Sequence, residues 1–442
     1  MIFKKGENVV FTDSSKATVV EELGSGKQGV VYKVKYNNDF YALKMYKSSF
    51  LKNLKARHKD KKFYLNLADN VSRQTVSPNF IWPLRLTETF DDGTYGYLME
   101  LIPANYTSFM KILANPSKLK ANYFFSIVTK ASINVVDTLR KLFINGLSFQ
   151  DFNDGSLYIN QDNGDIKICD CDNIGPNNKE AFILGKYQYM APEIALGQKL
   201  PNRRSDQFSL SVILFTMFFL TRPFDGKAYR SEIPSESVNI KYFGENPVYI
   251  CNPNDHSNGP VRGIHRALIS LYPKYPDYLK QAFLKEYTQG LKNENARLQE
   301  DEWLFILTRL ESDIIKCPYC KEEMFVKDLS QDVCQCEECK KTFTRPTMLY
   351  ANENEHLYGE FGRKLYRWQV DNSRLFSNSS LDVLGEVTAS KKNPNIKILK
   401  NLSRDTWILN YQGEDKEISP DKNLPLIRGQ YVTINNKKFT IK

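Results

Sequence analysis

The sequence predicts an α+β protein in which a two-lobed domain precedes a small cysteine-rich segment and an all-β domain. Strand-like alternation and a glycine-rich turn mark the first hundred residues, and longer helical patterns follow them, including one at 276–291. Two Cys-x-x-Cys pairs come next, ahead of a tail in which apolar and polar residues alternate. The predicted limits are 1–103 and 104–311 for the two lobes, 314–345 for the cysteine-rich segment and 346–442 for the tail.

The composition is that of an ordinary soluble globular protein. The 442 residues carry a formal net charge of +10, and this modest excess favours a solvated basic surface over a nucleic-acid footprint. The longest apolar stretch, 208–220, is interrupted by hydroxyl residues and is shorter than the roughly 20 residues that cross a bilayer. The first residues lack the apolar core of a secretory signal. We therefore expect a cytoplasmic protein with neither nucleic-acid nor membrane partners.

A glycine-rich turn joins the first two predicted strands, 18–23 and 30–34. Glycine allows backbone N–H groups to close over phosphate oxygens where a Cβ atom would collide. No helix follows the glycines at once, as a dinucleotide-binding βαβ unit would require. Lys44 ends the next predicted strand, 40–44, and supplies a cation to the same phosphates. The turn residues expected to cover the phosphates are Gly24, Ser25, Gly26 and Gly29.

Two aspartates follow a predicted helix, 121–143, in the order that phosphoryl transfer requires. Asp151 would orient an acceptor hydroxyl and accept its proton. Asp170 ends a predicted strand and would hold Mg²⁺ against nucleotide phosphates, because a hard cation prefers carboxylate oxygens. A hairpin of 157–159 and 165–168 is predicted to bring both aspartates to one end of a cleft.

Three further landmarks follow in order. Ala191-Pro192-Glu193 closes the segment after the second aspartate. Asp206 opens the apolar helix predicted at 205–220, where it can cap backbone amides of the Asp151 loop. Arg297 is placed to form a bidentate pair with Glu193. With these seven landmarks, residues from about 17 to 311 resemble the eukaryote-like (Hanks-type) Ser/Thr protein kinases of bacteria.

The resemblance implies a bilobal kinase fold, ATP with Mg²⁺ or Mn²⁺ as the phosphoryl donor, and Ser or Thr hydroxyls of proteins as acceptors. It implies catalytic roles for Lys44 and Asp151. The combination with a cysteine-rich segment is similar to a bacterial subset with an appended zinc ribbon, often accompanied by a PP2C-type phosphatase and a von Willebrand A protein. The further residues expected around the nucleotide are Val31, Ala42, Glu100 and Ile102.

The sequence departs from the family at several positions. Ser156 aligns with the asparagine that binds the second metal, and its hydroxyl is a poorer Mg²⁺ ligand. Asp172, two residues after the metal aspartate, is expected to supply the missing oxygen, and Asn153 is the alternative. The helical segment after Lys44 offers no glutamate to position the lysine, since the only acids between 45 and 80 are aspartates.

The activation segment also departs from the pattern. Gln150 replaces the arginine that usually pairs with a phosphorylated loop, and 173–190 contains neither serine nor threonine. We therefore expect activity that needs no loop phosphorylation. Two alternatives remain: a nucleotide-binding pseudokinase scaffold, motivated by the missing glutamate, and a small-molecule phosphotransferase. The Glu193–Arg297 pair disfavours the latter, because that pair shapes a peptide-binding segment.

Four cysteines have the spacing of a zinc ribbon, in which two tight turns each direct two thiolates at one tetrahedral ion. The set is Cys317, Cys320, Cys336 and Cys339. Cys334 leaves an alternative Cys-x-Cys pair with Cys336. Four thiolates leave no coordination position for substrate, so the zinc is expected to be structural. Cysteines without a secretion signal also favour a reducing compartment.

The tail from 346 resembles a β-sandwich of forkhead-associated (FHA) type, chiefly through 400–407 and 426–430. Strands are predicted at 407–411, 430–434 and 438–441, with Asn435-Asn436 as a turn. Phosphothreonine readers of this type use a Ser-Arg pair, which Ser403-Arg404 matches, although the expected histidine is missing.

Overall fold

The computed structural model describes residues 3–119, 123–180, 182–183, 185–326, 329–371, 376–377, 382–391, 393 and 396–442. The chain divides into two compact units, one of Met1–Tyr272 with Lys280–Glu300 and one of Pro273–Leu279 with Asp301–Lys442. The predicted α+β class is confirmed. No helix in the described ranges is both long and apolar enough to span a bilayer.

The first lobe of the first unit is a six-stranded antiparallel sheet in the order β1-β2-β3-β4-β6-β5. The three strands predicted around the glycine turn are confirmed as β2, β3 and β4. Alternate residues of β3 are buried, which is why this segment forms a strand with one face on a core. Its strands are β1 (Asn8–Val10), β2 (Lys16–Ser25), β3 (Gly29–Tyr36), β4 (Asp39–Tyr46), β5 (Arg85–Leu86) and β6 (Gly96–Glu100), and its helices are α1 (Ser48–Ala56) and α2 (Asp60–Arg73).

The chain from 104 to 313 is mostly helical and is built around one buried helix, α6. Every residue from Ser205 to Phe219 of this helix is buried, so its apolar stretch is a protein core element. Asn202 caps it through a box with Ser205. The helices are α3 (Phe109–Ala114), α4 (Val128–Ile144), α5 (Pro192–Ala195), α6 (Arg203–Phe219), α7 (Lys227–Arg230), α8 (Glu236–Ile240), α9 (Arg266–Leu271), α10 (Asp277–Glu286), α11 (Gln289–Lys292) and α12 (Glu300–Asp313), and the strands are β7 (Thr107–Ser108), β8 (Leu147–Ser148), β9 (Leu157–Ile159), β10 (Ile166–Ile168) and β11 (Gly175–Pro176).

Two predicted helices differ from the observed ones. The helix predicted at 121–143 starts as a π-type turn at Tyr123–Ile127 and becomes α-helical only in α4, while 121–122 lie outside the described residues. The helix predicted at 276–291 is two helices, α10 and α11. Thr288 separates them with φ −130°, and its hydroxyl donates to the Leu284 carbonyl, which competes with continuation of the helix.

After helix α12, the second unit continues with two short hairpins and two antiparallel sheets, with orders β17-β16-β25-β24-β21-β22 and β18-β19-β20-β23. Residues of both sheets share one core around Trp407, so the sheets pack face to face. Its further elements are β12 (Ile314–Lys316), β13 (Glu323–Phe325), β14 (Val333–Gln335), β15 (Thr342–Thr344), β16 (Met348–Asn352), β17 (Glu355–Tyr358), β18 (Lys364–Tyr366), α13 (Arg367–Val370), β19 (Val383–Ala389), β20 (Lys397–Asn401), β21 (Trp407–Tyr411), β22 (Glu414–Ile418), β23 (Asn423–Pro425), β24 (Tyr431–Ile434) and β25 (Lys437–Ile441).

Candidate active site

Lys44 lies on β4, where it pairs with Val31 of β3 on one side and Tyr97 of β6 on the other. Its Nζ atom lies 2.8 Å from Asp172 Oδ2 and 3.1 Å from Asp170 Oδ1. Burial alone would lower the pKa of Lys44, but the two carboxylates outweigh it and raise the pKa well above its usual value. The lysine is therefore a fixed cation.

The predicted β9–β10 hairpin is confirmed, and Asp170 and Asp172 come shortly after its second strand. Asp170 lies two residues after β10 and takes a left-handed backbone conformation with φ +59°, which turns the chain sharply. The side chain of Asp170 is 54% exposed, whereas that of Asp172 is 1% exposed. The hairpin thus brings two carboxylates to one ammonium group but leaves only Asp170 accessible from solvent.

Helix α6 holds the loop that carries Asp151 through the side chain of Asp206. Asp206 accepts hydrogen bonds from Ser148 Oγ at 2.8 Å and from the backbone N–H groups of Phe149 and Gln150 at 2.6 and 3.1 Å. The predicted capping role of Asp206 is confirmed. Since Asp206 is fully enclosed in the helical core, the loop has a rigid base.

The Asp151 carboxylate is buried in this loop. Asn153 Nδ2 donates to Asp151 Oδ1 at 2.9 Å, and a Cβ atom on Gly185 would lie 3.1 Å from the same oxygen. Burial, reinforced by the charge of Asp170 and opposed by the Asn153 hydrogen bond, raises the pKa of Asp151 to about 7. A carboxylate with a pKa near neutrality is suited to accept a proton.

The three glycines of the turn differ in the space beside them: Gly24 and Gly26 border open space, whereas Gly29 is closely packed. A Cβ atom on Gly24 or Gly26 would meet no atom within 4 Å, so their small size leaves room beside the backbone. A Cβ atom on Gly29 would lie 2.4 Å from the Met45 carbonyl oxygen, so Gly29 is required by the β3–β4 packing. Ser25 and both open glycines are exposed.

The turn is tied to the end of β4 by a second lysine. Lys47 Nζ donates to the Gly26 carbonyl at 2.7 Å. Because this residue lies three positions after Lys44, the turn receives a cation from the same stretch of chain. No local sequence pattern predicts this contact, since Lys47 is one of many lysines in a basic segment.

An apolar pocket wall forms next to Lys44. Ala42 and Cys169 are buried in one hydrophobic cluster, and Val31, Ile102 and Tyr158 pack against it. The structure thus brings the predicted Val31, Ala42 and Ile102 together. Sequence reasoning missed the contribution of Tyr158, the half-buried middle residue of β9, whereas Cys169 was expected to be a core or near-site thiol.

Ser156 and Glu100 are two further residues of the predicted site. Ser156 Oγ is buried and has no hydrogen-bond partner among the described residues, while its backbone carbonyl accepts from Cys169 N–H at 2.8 Å. An orphaned buried hydroxyl near Asp170 fits a role as a metal ligand. Glu100 ends β6 opposite Tyr41 and its side chain is exposed, which leaves the following backbone at the edge of the pocket wall.

Ion pairs hold the segment before Ala191 in place. Asp154 accepts from Lys186 Nζ at 2.5 Å and from Arg222 at 2.9 Å, and Arg222 Nε also donates to Tyr189 Oη at 3.0 Å. Burial alone would raise the pKa of Asp154, but the two cations hold it below its usual value. This network orders the segment with side chains that the chain itself supplies.

The predicted pair between Arg297 and Glu193 is confirmed. The guanidinium donates two parallel hydrogen bonds to the carboxylate at 2.7 and 2.8 Å, and it also donates to two backbone carbonyls. The Arg297 side chain is 1% exposed, so this pair anchors the end of the segment to the helical core.

The arrangement of a lysine strand, a glycine turn and two loop aspartates is matched by a known family. A family model described as the protein kinase domain matches residues 17–259, more than half of the chain. The chain belongs to the protein kinase family. Comparison with curated proteins gave no match. The family confirms the predicted kinase, and it implies protein substrates and the use of ATP with a divalent metal.

The four predicted zinc ligands of this kinase are gathered in the second unit. The Sγ atoms of the four cysteines all lie within 4.8 Å of one another, with Cys317 and Cys339 at 3.7 Å and Cys320 and Cys336 at 3.6 Å. A tetrahedral ion with zinc–sulfur bonds of about 2.3 Å requires sulfur atoms roughly 3.8 Å apart. Cys334 lies instead in a separate apolar core with Met348 and Tyr358. The cluster can therefore hold one metal ion.

The Ser403-Arg404 pair of the tail is arranged as a turn. Ser403 Oγ donates to Asn401 Oδ1 at 2.7 Å and is buried, and Asp405 N–H donates back to it at 3.2 Å. Asn401 in turn donates to the carbonyls of Asp405 and Ile418. Because its hydroxyl is occupied by this turn, Ser403 is a structural residue, and Arg404 alone of the pair is exposed.

Proposed function

We propose that this kinase transfers the γ-phosphate of ATP, with Mg²⁺, to Ser or Thr hydroxyls of protein substrates in bacterial cytoplasmic signalling. The observation that carries the proposal is the meeting of Lys44 and Asp170 at 3.1 Å, beside a loop that holds Asp151 within electrostatic range of Asp170. This proximity supports the action of an ammonium group and two carboxylates, from separate parts of the chain, on one triphosphate.

The proposed steps use these groups in turn. Lys44 binds the α- and β-phosphates, and the turn Gly24–Gly29 covers them. Val31, Ala42 and Ile102 hold the base, with backbone groups of 100–102 at its edge. Asp151 orients the acceptor hydroxyl and takes its proton while oxygen forms a bond to the γ-phosphorus and the bond to the β–γ bridging oxygen breaks.

A divalent ion neutralises the phosphate charge when it is bound. Asp170 is the exposed carboxylate suited to hold it, and the orphaned hydroxyl of Ser156 supports a second contact. The Lys186–Asp154–Arg222 network supports activity without loop phosphorylation, because it supplies the order that a phosphate would otherwise bring.

A nucleotide-binding scaffold is the second candidate, favoured by the serine at position 156 and by the absence of a glutamate from α2. Incubation of the full chain with labelled ATP and Mg²⁺ or Mn²⁺, followed by phosphoamino-acid analysis, tests both. We expect label on serine or threonine of the chain itself or of an added protein. ADP binding without transfer to any protein would favour the scaffold.

We further propose that the four-cysteine cluster holds structural Zn²⁺ and that the tail, 346–442, is an FHA-like module that docks protein partners. The two sheets around one core support the sandwich. The proposed limits of the preceding parts are 1–311 and 314–345. The proposed partners are a PP2C-type phosphatase and a von Willebrand A protein, and co-purification with the full chain tests them.

A further inference from the structure

Lys44 needs a fixed carboxylate partner, and helix α2 does not supply one. The only acids of α2 are Asp60, at its first position, and Asp69, which is exposed. We propose that Asp172 is the residue that positions Lys44 in this kinase and that it does so in place of metal binding. This assignment rests on the proposed phosphotransfer function, because Lys44 matters there as the phosphate-binding cation.

The contacts of Asp172 are those of an anchor. Its Oδ2 atom accepts from Lys44 Nζ at 2.8 Å and from Tyr46 Oη at 2.6 Å, and the side chain is 1% exposed. A carboxylate removed from water is stable only when cations and donors satisfy it. Asp170 differs, since its exposed carboxylate can reach a hydrated ion while also contacting Lys44. The two acids therefore divide the roles of metal ligand and lysine anchor.

Two tyrosine rings also lie near the ammonium group of Lys44. The rings of Tyr46 and Tyr97 lie 5.7 and 5.9 Å from Lys44 Nζ, on the β4 and β6 strands. Aromatic walls favour the cation electrostatically but offer no carboxylate. The two ring centroids are 6.1 Å apart, so both rings lie to one side of the ammonium group, which also contacts Asp172 and Asp170.

Helix α2 acts on Asp172 through the backbone. Asn66 Nδ2 donates to the carbonyls of Asp172 at 3.3 Å and Ile174 at 2.9 Å, and Asn70 Nδ2 donates to the same Ile174 carbonyl at 2.9 Å. The helix thus holds the turn that carries the anchor, and the anchor holds the lysine. Movement of α2 would reach Lys44 by displacing this turn and through Phe63, whose ring packs on Tyr46 at 5.2 Å.

The test uses four full-chain proteins besides the wild type: Asp172→Asn, Lys44→Met, the double variant, and the surface control Asp69→Asn. ADP affinity is measured by calorimetry, first in EDTA and then against Mg²⁺. We expect Asp172→Asn to weaken metal-free ADP binding about as much as Lys44→Met does, by about tenfold. The double variant should bind no more weakly than Lys44→Met, and the Mg²⁺ midpoint should stay within about twofold of the wild type.

A different pattern would overturn the assignment. If Asp172→Asn leaves metal-free ADP binding unchanged but raises the Mg²⁺ midpoint, Asp172 is a metal ligand. Additive losses in the double variant would also contradict it.

Melting of the nucleotide-free proteins keeps this test separate from the proposed function. We expect the double variant to melt no lower than the worse single variant, because removing both charges leaves neither buried alone. Melting shifts that add would reject the pair, even if the wild type transferred no phosphate. A coupled pair in a wild type that binds no ADP would reject the proposed function alone.

Discussion

At the scale of single residues, Asp151 shows how the fold prepares a proton acceptor. Its loop removes the carboxylate from water, gives it one amide partner in Asn153 and places Gly185 against it. Burial therefore raises the pKa of Asp151 to about 7. The carboxylate can take a proton from a hydroxyl and release it near neutral pH.

The raised pKa of Asp151 predicts a specific pH dependence of stability. Between about pH 4 and 7 the folded chain retains a proton on Asp151 that the unfolded chain loses, so this residue's contribution to stability falls as the pH rises. We expect the free energy of unfolding of the wild type, relative to Asp151→Asn, to fall by roughly 4 kcal/mol over that window. Denaturant unfolding at pH 4, 5.5 and 7 measures it. Asp206, whose pKa is also raised, is common to both proteins, so a constant difference would contradict the account.

The glycines of the turn predict two opposite outcomes for the same substitution. Gly26→Ala should leave the melting temperature within about 1 °C of the wild type and weaken ADP binding, because its Cβ enters open space beside the phosphates. Gly29→Ala should lower the melting temperature by several degrees, roughly the effect of 1–3 kcal/mol, because its Cβ meets the Met45 carbonyl. Thermal shift and calorimetry separate the two. Equal melting temperatures would show that the β3–β4 contact tolerates a methyl group.

At the scale of elements, α2 is tied to the turn after β10 by two asparagine amides. Asn70 is 2% exposed, and its amide is a donor to buried carbonyls. We expect Asn70→Ala to reduce stability by about 1–3 kcal/mol, since it removes a buried amide that donates to the Ile174 and Cys171 carbonyls. Ser72→Ala, on the exposed face of the same helix, should change stability by less than about 0.5 kcal/mol. Similar losses for both variants would contradict the tie.

The activation segment is an element held by charges instead of a phosphate. Treatment of the full chain with a broad-specificity phosphatase should leave the rate of phosphate transfer unchanged, because Asp154 already binds Lys186 and Arg222. Asp154→Asn should lower the rate and loosen the segment, which limited proteolysis reports. Loss of activity after phosphatase treatment alone would show that the segment depends on a modification.

The elements that the sequence predicted well are those with one strong local signal. The hairpin β9–β10 and strands β2 to β4 alternate clearly, and α6 has a long apolar pattern after a capping residue. Helix α1 was not predicted, because only Leu51 and Leu54 of this lysine-rich segment are buried. The anchor role of Asp172 depends on contacts with β4, which no local pattern reveals.

At the scale of the whole molecule, the kinase carries a second compact unit that contains two cysteine hairpins. Both hairpins hold their first cysteine in the same way: Cys317 N–H donates to the Glu322 backbone carbonyl, and Cys336 N–H donates to the Lys341 backbone carbonyl. Such repeated turns direct pairs of thiolates at a common centre. We expect the small core of these hairpins to need the metal in order to fold.

The cysteine cluster predicts one zinc ion per chain. Cys336→Ser should lose the metal, whereas Cys334→Ser should retain it, because Cys334 packs in the neighbouring apolar core. Elemental analysis of the purified proteins gives the stoichiometry. Zinc loss in Cys334→Ser, or its retention in Cys336→Ser, would show that the spacing was assigned to the wrong thiols.

Asp151, as the proposed proton acceptor, is the residue on which phosphate transfer should depend most directly. The decisive measurement is the rate of labelled phosphate transfer to protein by the wild type and by Asp151→Asn. Both proteins are saturated with nucleotide, and the nucleotide affinity of each is first measured with ADP. We expect nucleotide affinity within about threefold of the wild type and a loss of at least about 100-fold in kcat, the contribution of a positioned base. Equal rates in the two proteins would contradict the central claim.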